Sequence, residues 1–395
     1  MENAARSALQ GLRVVDFSQI GAGPTCSMIM GDMGADVIKV EPPTGDLGRH
    51  LGPPWNSEGE SSIFVAFNRN KRSIGLDLKR PAMLEVARRL CAGADVVLES
   101  FRPGVMAQLG LGANELMASN HRLIYCSVSA YGSTGPKARH GGVDGIVQSV
   151  SGLMSLIGEE GEPPSKVQAP VVDVATGYMA TIAILAQLHL RERTGHGGFL
   201  DVSMFATAVA LQQSSLTAYL FDGELPVRAG SGAPYSAPNE AFRTSDGWIM
   251  VAAYSGGRWE RLCALLGCDE LAADPRFATS SDRVRNRQAM RDCLNAIFAR
   301  HGSDHWLARL EAEDILCSRV STYDDLTRDP QFDHMDLIAE TVRSDGAILR
   351  MPGQPINSVA SQTEAHRAPP QRDEHGAEIL AELGYLPGEI EGLHL

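Results

Sequence analysis

An aspartate stands where an apolar segment enters a helical one. Asp173 lies in the run APVVDVATG (169–177), and the pattern GYMATIAILAQLHLR that follows from Gly177 is apolar nearly all round, as in a buried helix. Carboxylates are among the side chains that form covalent intermediates in group transfer. An acid at a helix start can equally cap the helix or interact with the positive end of the helix dipole. The residues alone leave these three roles open.

A second candidate site is the run GAG at 21–23. It follows a predicted strand and precedes a predicted helix, and Glu41 ends the next strand, which is the layout of a dinucleotide-binding fingerprint. However, Cys26 stands where the third glycine belongs and Pro24 interrupts the motif. The sequence therefore disfavours NAD, although amides at this helix start could still hold a phosphate. No GxxxxGK[ST] motif indicates the use of ATP.

Strands and helices alternate in the N-terminal part of the chain. Short apolar runs predict strands, and longer periodic segments predict helices, one of which begins at Pro81. Such alternation is typical of parallel β-α-β units, so we predict an α/β fold whose sheet is covered on both faces. The predicted strands are 13–17, 36–41, 94–98 and 123–129, and a further predicted helix is 25–33.

The composition changes near residue 222, where the sequence 221–226 is typical of a linker. Residues 239–253 then predict a β-hairpin around Asp246-Gly247, a strong turn signal between β-rich runs. Helical segments are predicted to continue to about Tyr323, and a Pro- and Gly-rich stretch at 350–355 opens a last section that ends in a helix at 377–383. The change at 222 indicates that the chain forms more than one domain.

Charge and composition exclude several classes of partner. The net charge of −13 argues against nucleic acid, which needs a clustered basic face, whereas a small anionic ligand needs only a few local cations. The seven cysteines are scattered and complete no metal site, so we expect reduced thiols and no metal. No secretory signal is recognisable at the N-terminus, and no apolar run approaches the ~20 residues of a membrane span. We therefore expect a cytoplasmic protein without a membrane partner.

Several motifs along nearly the whole chain together resemble one family. They are GAGP (21–24), GADVIKVE (34–41), NRNKRS (68–73), LDLK (76–79), SFRPG (100–104), YGSTGP (131–136), Asp144 with Gln148, Asp173 with Thr176-Gly177, and DGW (246–248). In this order and spacing they resemble the class III CoA-transferase family, which includes formyl-CoA and carnitine-type CoA transferases and is related to the α-methylacyl-CoA racemases.

The resemblance implies an architecture that periodicity cannot supply. It implies a Rossmann-like large domain built from both chain ends, residues 1–222 plus 332–395, and a smaller α+β domain inserted between them, residues 223–331. It also implies a homodimer whose two chains pass through each other like linked rings.

The resemblance also implies the reaction, transfer of CoA from an acyl-CoA donor to a free carboxylic acid. Asp173 matches the family nucleophile, which forms an acyl anhydride and then an aspartyl-CoA thioester. Asp144 matches an acidic residue that contacts the reacting groups, although it could equally cap the helix containing Gln148. No permanently bound cofactor is implied, because CoA thioesters are themselves the substrates. We expect a small dicarboxylate as acceptor and succinyl-CoA as donor.

Coenzyme A presents phosphates and an adenine, so it needs a few cations beside an apolar slot. Any single cation among the candidates could instead be a solvated surface charge. Pro42 and Gln108 stand where some relatives carry phosphate-binding arginines, so we expect Arg49 to take over part of that role. The predicted CoA-binding residues are Ala22, Arg49, Lys71, Arg72, Leu76, Lys79, Ser100, Phe101 and Arg102.

Three other functions can be weighed against CoA transfer. A racemase needs a His directly before the Asp at position 144, but Val143 stands there and the nearest His is His140. An acid–CoA ligase would need an adenylate-forming motif, which is not recognisable. An inactive CoA-binding scaffold would not need the nucleophile Asp173. Residues 230–234 match a glycine-rich lid of some transferases, but they could equally form a plain linker turn.

Overall fold

The computed structural model describes residues 7–56, 59–356 and 366–393. These residues form two compact units. The first lies within Met1–Leu153, Val167–Gln213 and Asp336–Leu395, and the second within Met154–Lys166 and Ser214–Met335. The unit boundaries differ from the predicted domain boundaries at 222 and 332. The second unit begins at Ser214, because nearly all of the helix Gln213–Asp222 groups with it, it ends at Met335, and it also includes Met154–Lys166.

The first unit is built on a six-stranded sheet in the order β3-β2-β1-β4-β5-β6, with every neighbouring pair parallel. The strand order reverses between β1 and β4. Ligands of open parallel sheets bind beyond the carboxyl ends of the strands at such a switch point. The strands are β1 (Arg13–Asp16), β2 (Asp36–Glu41), β3 (Lys71–Gly75), β4 (Val96–Glu99), β5 (Ile124–Ser129) and β6 (Gly198–Ser203).

Two smaller sheets complete the strands. In the second unit β7 (Asn239–Arg243), β8 (Trp248–Ala252) and β9 (Leu316–Arg319) form an antiparallel sheet, and in the first unit β10 (Ile338–Val342) pairs with β11 (Ile348–Pro352). The hairpin predicted at 239–253 is confirmed as β7 and β8. The β10–β11 hairpin was not predicted, although its strands alternate exposed and buried residues and Asp345-Gly346 between them is the same turn signal as Asp246-Gly247.

The helices follow the same division between units. The first unit contains α1 (Ala22–Asp32), α2 (Ser62–Phe67), α3 (Pro81–Ala92), α4 (Val105–Gln108), α5 (Ala113–Ser119), α6 (Asp144–Val150), α7 (Val171–Thr194) and α8 (Met204–Ala210). The second contains α9 (Gln213–Asp222), α10 (Arg258–Leu266), α11 (Asp269–Ala273), α12 (Ser280–Arg285), α13 (Arg287–Phe298), α14 (Ser303–Ala312), α15 (Tyr323–Leu326) and α16 (Pro330–His334). Near the C-terminus α17 (Gly376–Glu382) and α18 (Pro387–Leu393) belong to the first unit.

Both faces of the central sheet are buried, as a parallel sheet requires. Val15 and Ile38 face a core that includes Val86 of α3 and Ile379 of α17. Their neighbours, such as Val14, face a second core formed with α1 and α7. Successive side chains of a strand point to opposite faces, so the near-continuous apolar runs of these strands supply both cores. The predicted α/β fold with a parallel sheet is confirmed.

Helix α7 runs through 24 residues, more than the sequence predicted. Among the described residues it is the one helix long and apolar enough, by length and composition, to cross a membrane, so the expectation that no apolar run approaches that length is wrong. The feature is weak evidence for a membrane span, because core helices share it. Ala180 and Ile184 of α7 lie fully buried in the core that α7 forms with α1.

Candidate active site

A cavity of about 330 Å³ opens in the first unit at the carboxyl ends of β1, β4 and β5. Its position is the switch point of the sheet, where the fold predicts a ligand. The residues that follow β1, β4 and β5 contribute to its wall, and helix α7 contributes Asp173. Six of the lining residues are Gln19, Ala22, Ser100, Arg102, His140 and Asp173.

Asp173 reaches this cavity because α7 packs closely against α1. Gly177 makes the approach possible, since a Cβ there would lie 2.5 Å from Cβ of Thr25 and 2.8 Å from the carbonyl oxygen of Ala22. One helical turn earlier, the carboxyl group of Asp173 lies against Gly21, where a Cβ would be 2.4 Å from Oδ2. Two glycines, one on each side, therefore define the distance between the carboxylate and the start of α1.

The carboxylate of Asp144 caps α7 and not its own helix α6. Its Oδ2 accepts hydrogen bonds from the backbone N–H of Val172 at 2.8 Å and of Asp173 at 3.1 Å, while its Oδ1 accepts from Nε2 of Gln148 at 2.5 Å. The N-cap residue of α6 is Val143, which makes no side-chain capping bond. The alternative that Asp144 caps the helix containing Gln148 is therefore wrong. Asp144 instead orients the first turn of α7, which carries Asp173.

The carboxylate of Asp173 does not serve as a helix cap. The N-cap position of α7 is Pro170, and Asp173 lies within the first turn. Its side chain makes no hydrogen bond or ion pair with any residue in the part of the chain that the structure describes. Burial, reinforced by the nearby charge of Asp144, raises the pKa of Asp173 from 3.8 to about 7. A carboxylate without a partner and with a raised pKa is typical of a reactive group.

The family resemblance implies that Asp173 attacks an acyl-CoA, and only an ionised carboxylate is nucleophilic, so we expect the rate of this attack to rise with pH through about 7. Asp144→Asn removes one of the two causes of the raised pKa and keeps one side-chain oxygen that can accept from the N–H groups of Val172 and Asp173. The rising part of the pH–rate profile should therefore move to lower pH. The burst of donor acid in the first turnover, measured between about pH 5 and 9, tests this. If the rising part of the profile stayed in place or moved to higher pH in Asp144→Asn, it could not be assigned to the ionisation of Asp173.

Four of the predicted CoA-binding residues line the cavity. Ala22 begins α1 on one side, and Ser100, Phe101 and Arg102 follow β4 on the other. Leu76 is buried in the core and Lys79 is exposed outside this cavity. The structure thus brings four of the nine predicted CoA-binding residues together with Asp173.

Three predicted cations are held in internal ion pairs. Lys71 is fully buried, and its Nζ lies 3.4 Å from Asp16 Oδ2. Arg72 pairs with Asp36 at 2.7 Å and also with Glu378 and Glu382 of α17. Arg49 donates to both carboxylate oxygens of Glu41, each at 2.7 Å. This geometry does not favour Lys71 or Arg72 as phosphate ligands, because a buried cation that leaves its partner strands an unpaired charge.

Sequence reasoning missed Gln19, did not place His140 in the site and did not consider Glu99, which directly precedes the lining residue Ser100. Gln19 and His140 line the cavity. Glu99 ends β4 and is buried, and burial raises its pKa, although it accepts a hydrogen bond from the N–H of Phe101. Gln19 and Glu99 could have been found from the sequence, because they lie at the carboxyl ends of predicted strands near the switch point. Functional groups of open parallel sheets gather at these ends.

Comparison with known proteins agrees with this geometry. The model of CoA-transferase family III matches residues 9–376. The chain is similar to a succinate–glutarate CoA-transferase of Agrobacterium fabrum, at 36% identity over 95% of each chain. It is also similar to a succinyl-CoA:mesaconate CoA-transferase of Haloarcula hispanica, at 36% identity over 96% of this chain and 98% of that protein.

A solved structure is also similar to this chain. The crystal structure of a CaiB/BaiF family protein from Brucella suis is 37% identical, covers 96% of this chain and 100% of its own, and has a TM-score of 0.84. Both the sequence and the fold are thus shared over nearly the full length. The chain therefore belongs to CoA-transferase family III, the class III CoA-transferases.

Proposed function

We propose that this class III CoA-transferase works through covalent intermediates on Asp173. The Asp173 carboxylate attacks the carbonyl carbon of the donor acyl-CoA, the CoA thiolate leaves, and a mixed anhydride forms. The thiolate then attacks the Asp173 carbonyl of the anhydride and releases the donor acid, which gives an aspartyl-CoA thioester. The acceptor carboxylate attacks this thioester, forms a second anhydride and frees the thiolate. Attack of the thiolate on the acceptor carbonyl releases the new acyl-CoA and regenerates Asp173.

The observation that carries this proposal is the state of the Asp173 carboxylate. It faces the cavity at the switch point without a partner among the described residues, and its pKa is raised to about 7. A structural carboxylate at a helix start is normally hydrogen-bonded, and Asp144 fills that role here. The raised pKa also makes the carboxylate more basic and hence a better nucleophile once it is ionised.

The start of α1 supports stabilisation of the developing negative charge. The helix begins at Ala22, next to the glycine that touches Asp173. The first N–H groups of any helix lack an intrahelical acceptor, and they carry the positive end of the helix dipole. We propose that these amides stabilise the oxyanion of the tetrahedral intermediates, a role in which fixed donors lower the barrier strongly.

The proposed substrates are succinyl-CoA as donor and a small dicarboxylic acid as acceptor. Relatives at similar identity are named for succinate with glutarate and for succinyl-CoA with mesaconate, and these names support a dicarboxylate. The test is a mass-spectrometric screen of the purified enzyme with several acyl-CoA donors against a panel of mono- and dicarboxylic acids. We expect the fastest transfer between dicarboxylates. Transfer confined to monocarboxylates would contradict this choice of substrates.

We further infer a Rossmann-like large domain, an inserted smaller domain and an interlocked homodimer. The strand order of the central sheet supports the first of these. A surface that exposes large apolar side chains supports self-association, and within the second unit Leu220, Phe221, Leu225 and Tyr235 are each more than two-thirds exposed. Sedimentation over a wide dilution series should show only dimer. A monomer that appears reversibly while activity persists would contradict interlocking.

One observation favours racemisation as a second candidate function. His140 lines the same cavity as Asp173, although Val143 occupies the position where the related racemases need a His. We nevertheless expect no exchange of the α-proton, because a base must lie within hydrogen-bond reach of that proton. A 2-methylacyl-CoA incubated in deuterated water with the enzyme should stay unlabelled. Rapid deuterium uptake that disappears in His140→Gln would instead support a racemase.

A further inference from the structure

The connection between β1 and α1, residues 18–21, adopts a conformation that needs support. Ile20 has φ 67°, a left-handed backbone that is rare for β-branched residues and costs energy. The next residue, Gly21, touches the carboxyl group of Asp173. A small shift of this connection would therefore move the wall of the active site against the nucleophile.

One buried ion pair fixes the connection at two points. Oδ1 of Asp46 accepts a hydrogen bond from the N–H of Ile20 at 3.0 Å. Nζ of Lys39 donates to the carbonyl oxygen of Ser18 at 3.0 Å. The two side chains pair with each other, Nζ to Oδ2, at 2.6 Å, and each is at most 1% exposed. The pair thus holds the backbone at Ser18, two residues before the strained residue, and at Ile20 itself.

Further buried groups hold this ion pair in place. The N–H of Asp46 donates to Oε2 of Glu41 at 2.8 Å, and Glu41 is itself paired with Arg49. On the other side Asp16 accepts from the N–H of Ser18 at 2.8 Å. Buried ion pairs contribute little net stability compared with apolar residues of the same volume. Stability alone therefore does not account for this concentration of charge beneath one short connection.

We propose that Asp46 and Lys39 are positioning residues of the transfer reaction, which hold residues 18–21 in the conformation that places Gly21 and the start of α1 against Asp173. This inference rests on the proposed role of Asp173 as nucleophile. Neither side chain lines the cavity, so both act through the backbone that they hold. The inference also gives Lys39, in the family motif DVIKVE (36–41), a role besides its place in a buried strand.

The test compares two buried aspartates of the first unit. Asp46→Asn keeps the shape and an acceptor oxygen for Ile20 but removes the charge that holds Lys39. The matched control is Asp32→Asn, at the other end of α1, where Asp32 is fully buried and pairs with Arg69 at 2.6 Å. Misplacement of reacting groups by about 1 Å can cost about 100-fold. We expect Asp46→Asn to slow the first-turnover release of the donor acid about 10- to 100-fold, with KM for acyl-CoA unchanged.

A merely structural role would affect both variants alike. We expect Asp32→Asn to lower the Tm as much as Asp46→Asn does while it keeps the first-turnover rate within about twofold. Should Asp46→Asn not fold, the double variant Lys39→Gln/Asp46→Asn replaces the ion pair by two neutral amides and leaves no unpaired charge. The same slow first turnover is expected in the double variant. A wild-type rate in either Asp46 variant, or an equal loss in Asp32→Asn, would overturn the inference. If the wild-type enzyme, incubated with acyl-CoA and then treated with hydroxylamine, carried no hydroxamate on Asp173, that result would instead refute the proposed function.

Discussion

Asp173→Asn is expected to lower CoA transfer by at least about 1,000-fold, because the amide cannot form the anhydride through which the reaction is proposed to pass. The fold and CoA binding should survive, since Asn matches Asp in shape and the first turn of α7 stays capped by Asp144. Steady-state transfer and CoA binding by calorimetry measure the two effects. Asp222→Asn, an exposed change in α9, is the control and should keep full activity.

The same substitution is expected to stabilise the protein at neutral pH. The carboxyl of Asp173 ionises with a pKa of about 7 in the folded chain against 3.8 ordinarily, and each pKa unit corresponds to about 1.4 kcal/mol. Below the lower pKa the carboxyl is protonated in both states, so wild type and variant differ little. The difference grows as pH rises through this window and is constant above about 7. Because solvent reaches the half-buried group, we expect about 2 kcal/mol.

Denaturant unfolding at about pH 4 and at about pH 8 measures this difference. If Asp173 instead stabilised the helix as a charged cap, Asp173→Asn would lower the free energy of unfolding, and it would do so more at pH 8 than at pH 4. The reason is that the stabilising charge exists only when the carboxylate is ionised. An inactive variant with an unchanged or lowered free energy of unfolding at pH 8 would mean that burial does not oppose the charge of Asp173.

Gly177→Ala is expected to reduce both activity and stability, although it adds one methyl group. The new Cβ would lie 2.5 Å from Cβ of Thr25 and 2.8 Å from the carbonyl oxygen of Ala22, so α7 must move away from α1. Overpacking of this kind costs about 1–3 kcal/mol. The substitution also moves Asp173 away from Gly21. Because reacting groups must be placed closely, we expect the rate of the first turnover to fall about 100-fold.

The matched control for Gly177→Ala is Gly93→Ala, after the end of α3. A Cβ at Gly93 would have no neighbour closer than 3.9 Å, so this variant should behave like wild type. Thermal unfolding and the burst of released donor acid check both variants. If Gly177→Ala retains the wild-type burst rate, the close packing of α1 and α7 does not determine the position of the nucleophile.

The sequence predicted most of the central sheet because apolar residues dominate its strands. β1, β2, β4 and β5 all lie within a residue or two of their predicted bounds. β3 (KRSIG) and β6 (GFLDVS) were not predicted as strands, and β3 begins with two charged residues, Lys71 and Arg72. Both side chains are buried nonetheless, because Asp16 and Asp36 neutralise them. Ion pairing across the sheet is a tertiary property that no local pattern contains.

The site could be predicted in part. Asp173, Ala22 and residues 100–102 belong to motifs whose order along the chain resembled the family, and the structure brings them to one cavity. The close approach of α1 and α7 at Gly177 was not predictable, since it depends on how two distant segments pack. The predicted start of the buried helix, at Gly177, also fell after Asp173, whereas α7 begins at Val171. The carboxylate thus lies within the first turn of the helix and not at its N-cap position, which the sequence did not predict.

Trapping of the covalent intermediate tests the central claim most directly. The wild-type enzyme is incubated with acyl-CoA, treated with hydroxylamine, digested and analysed by mass spectrometry. An anhydride or thioester on Asp173 would be converted to a hydroxamate, so the peptide that contains Asp173 should carry that adduct, and Asp173→Asn should carry none. An adduct on Asp144 instead, or full transfer activity without any adduct, would contradict the assignment of Asp173 as the nucleophile.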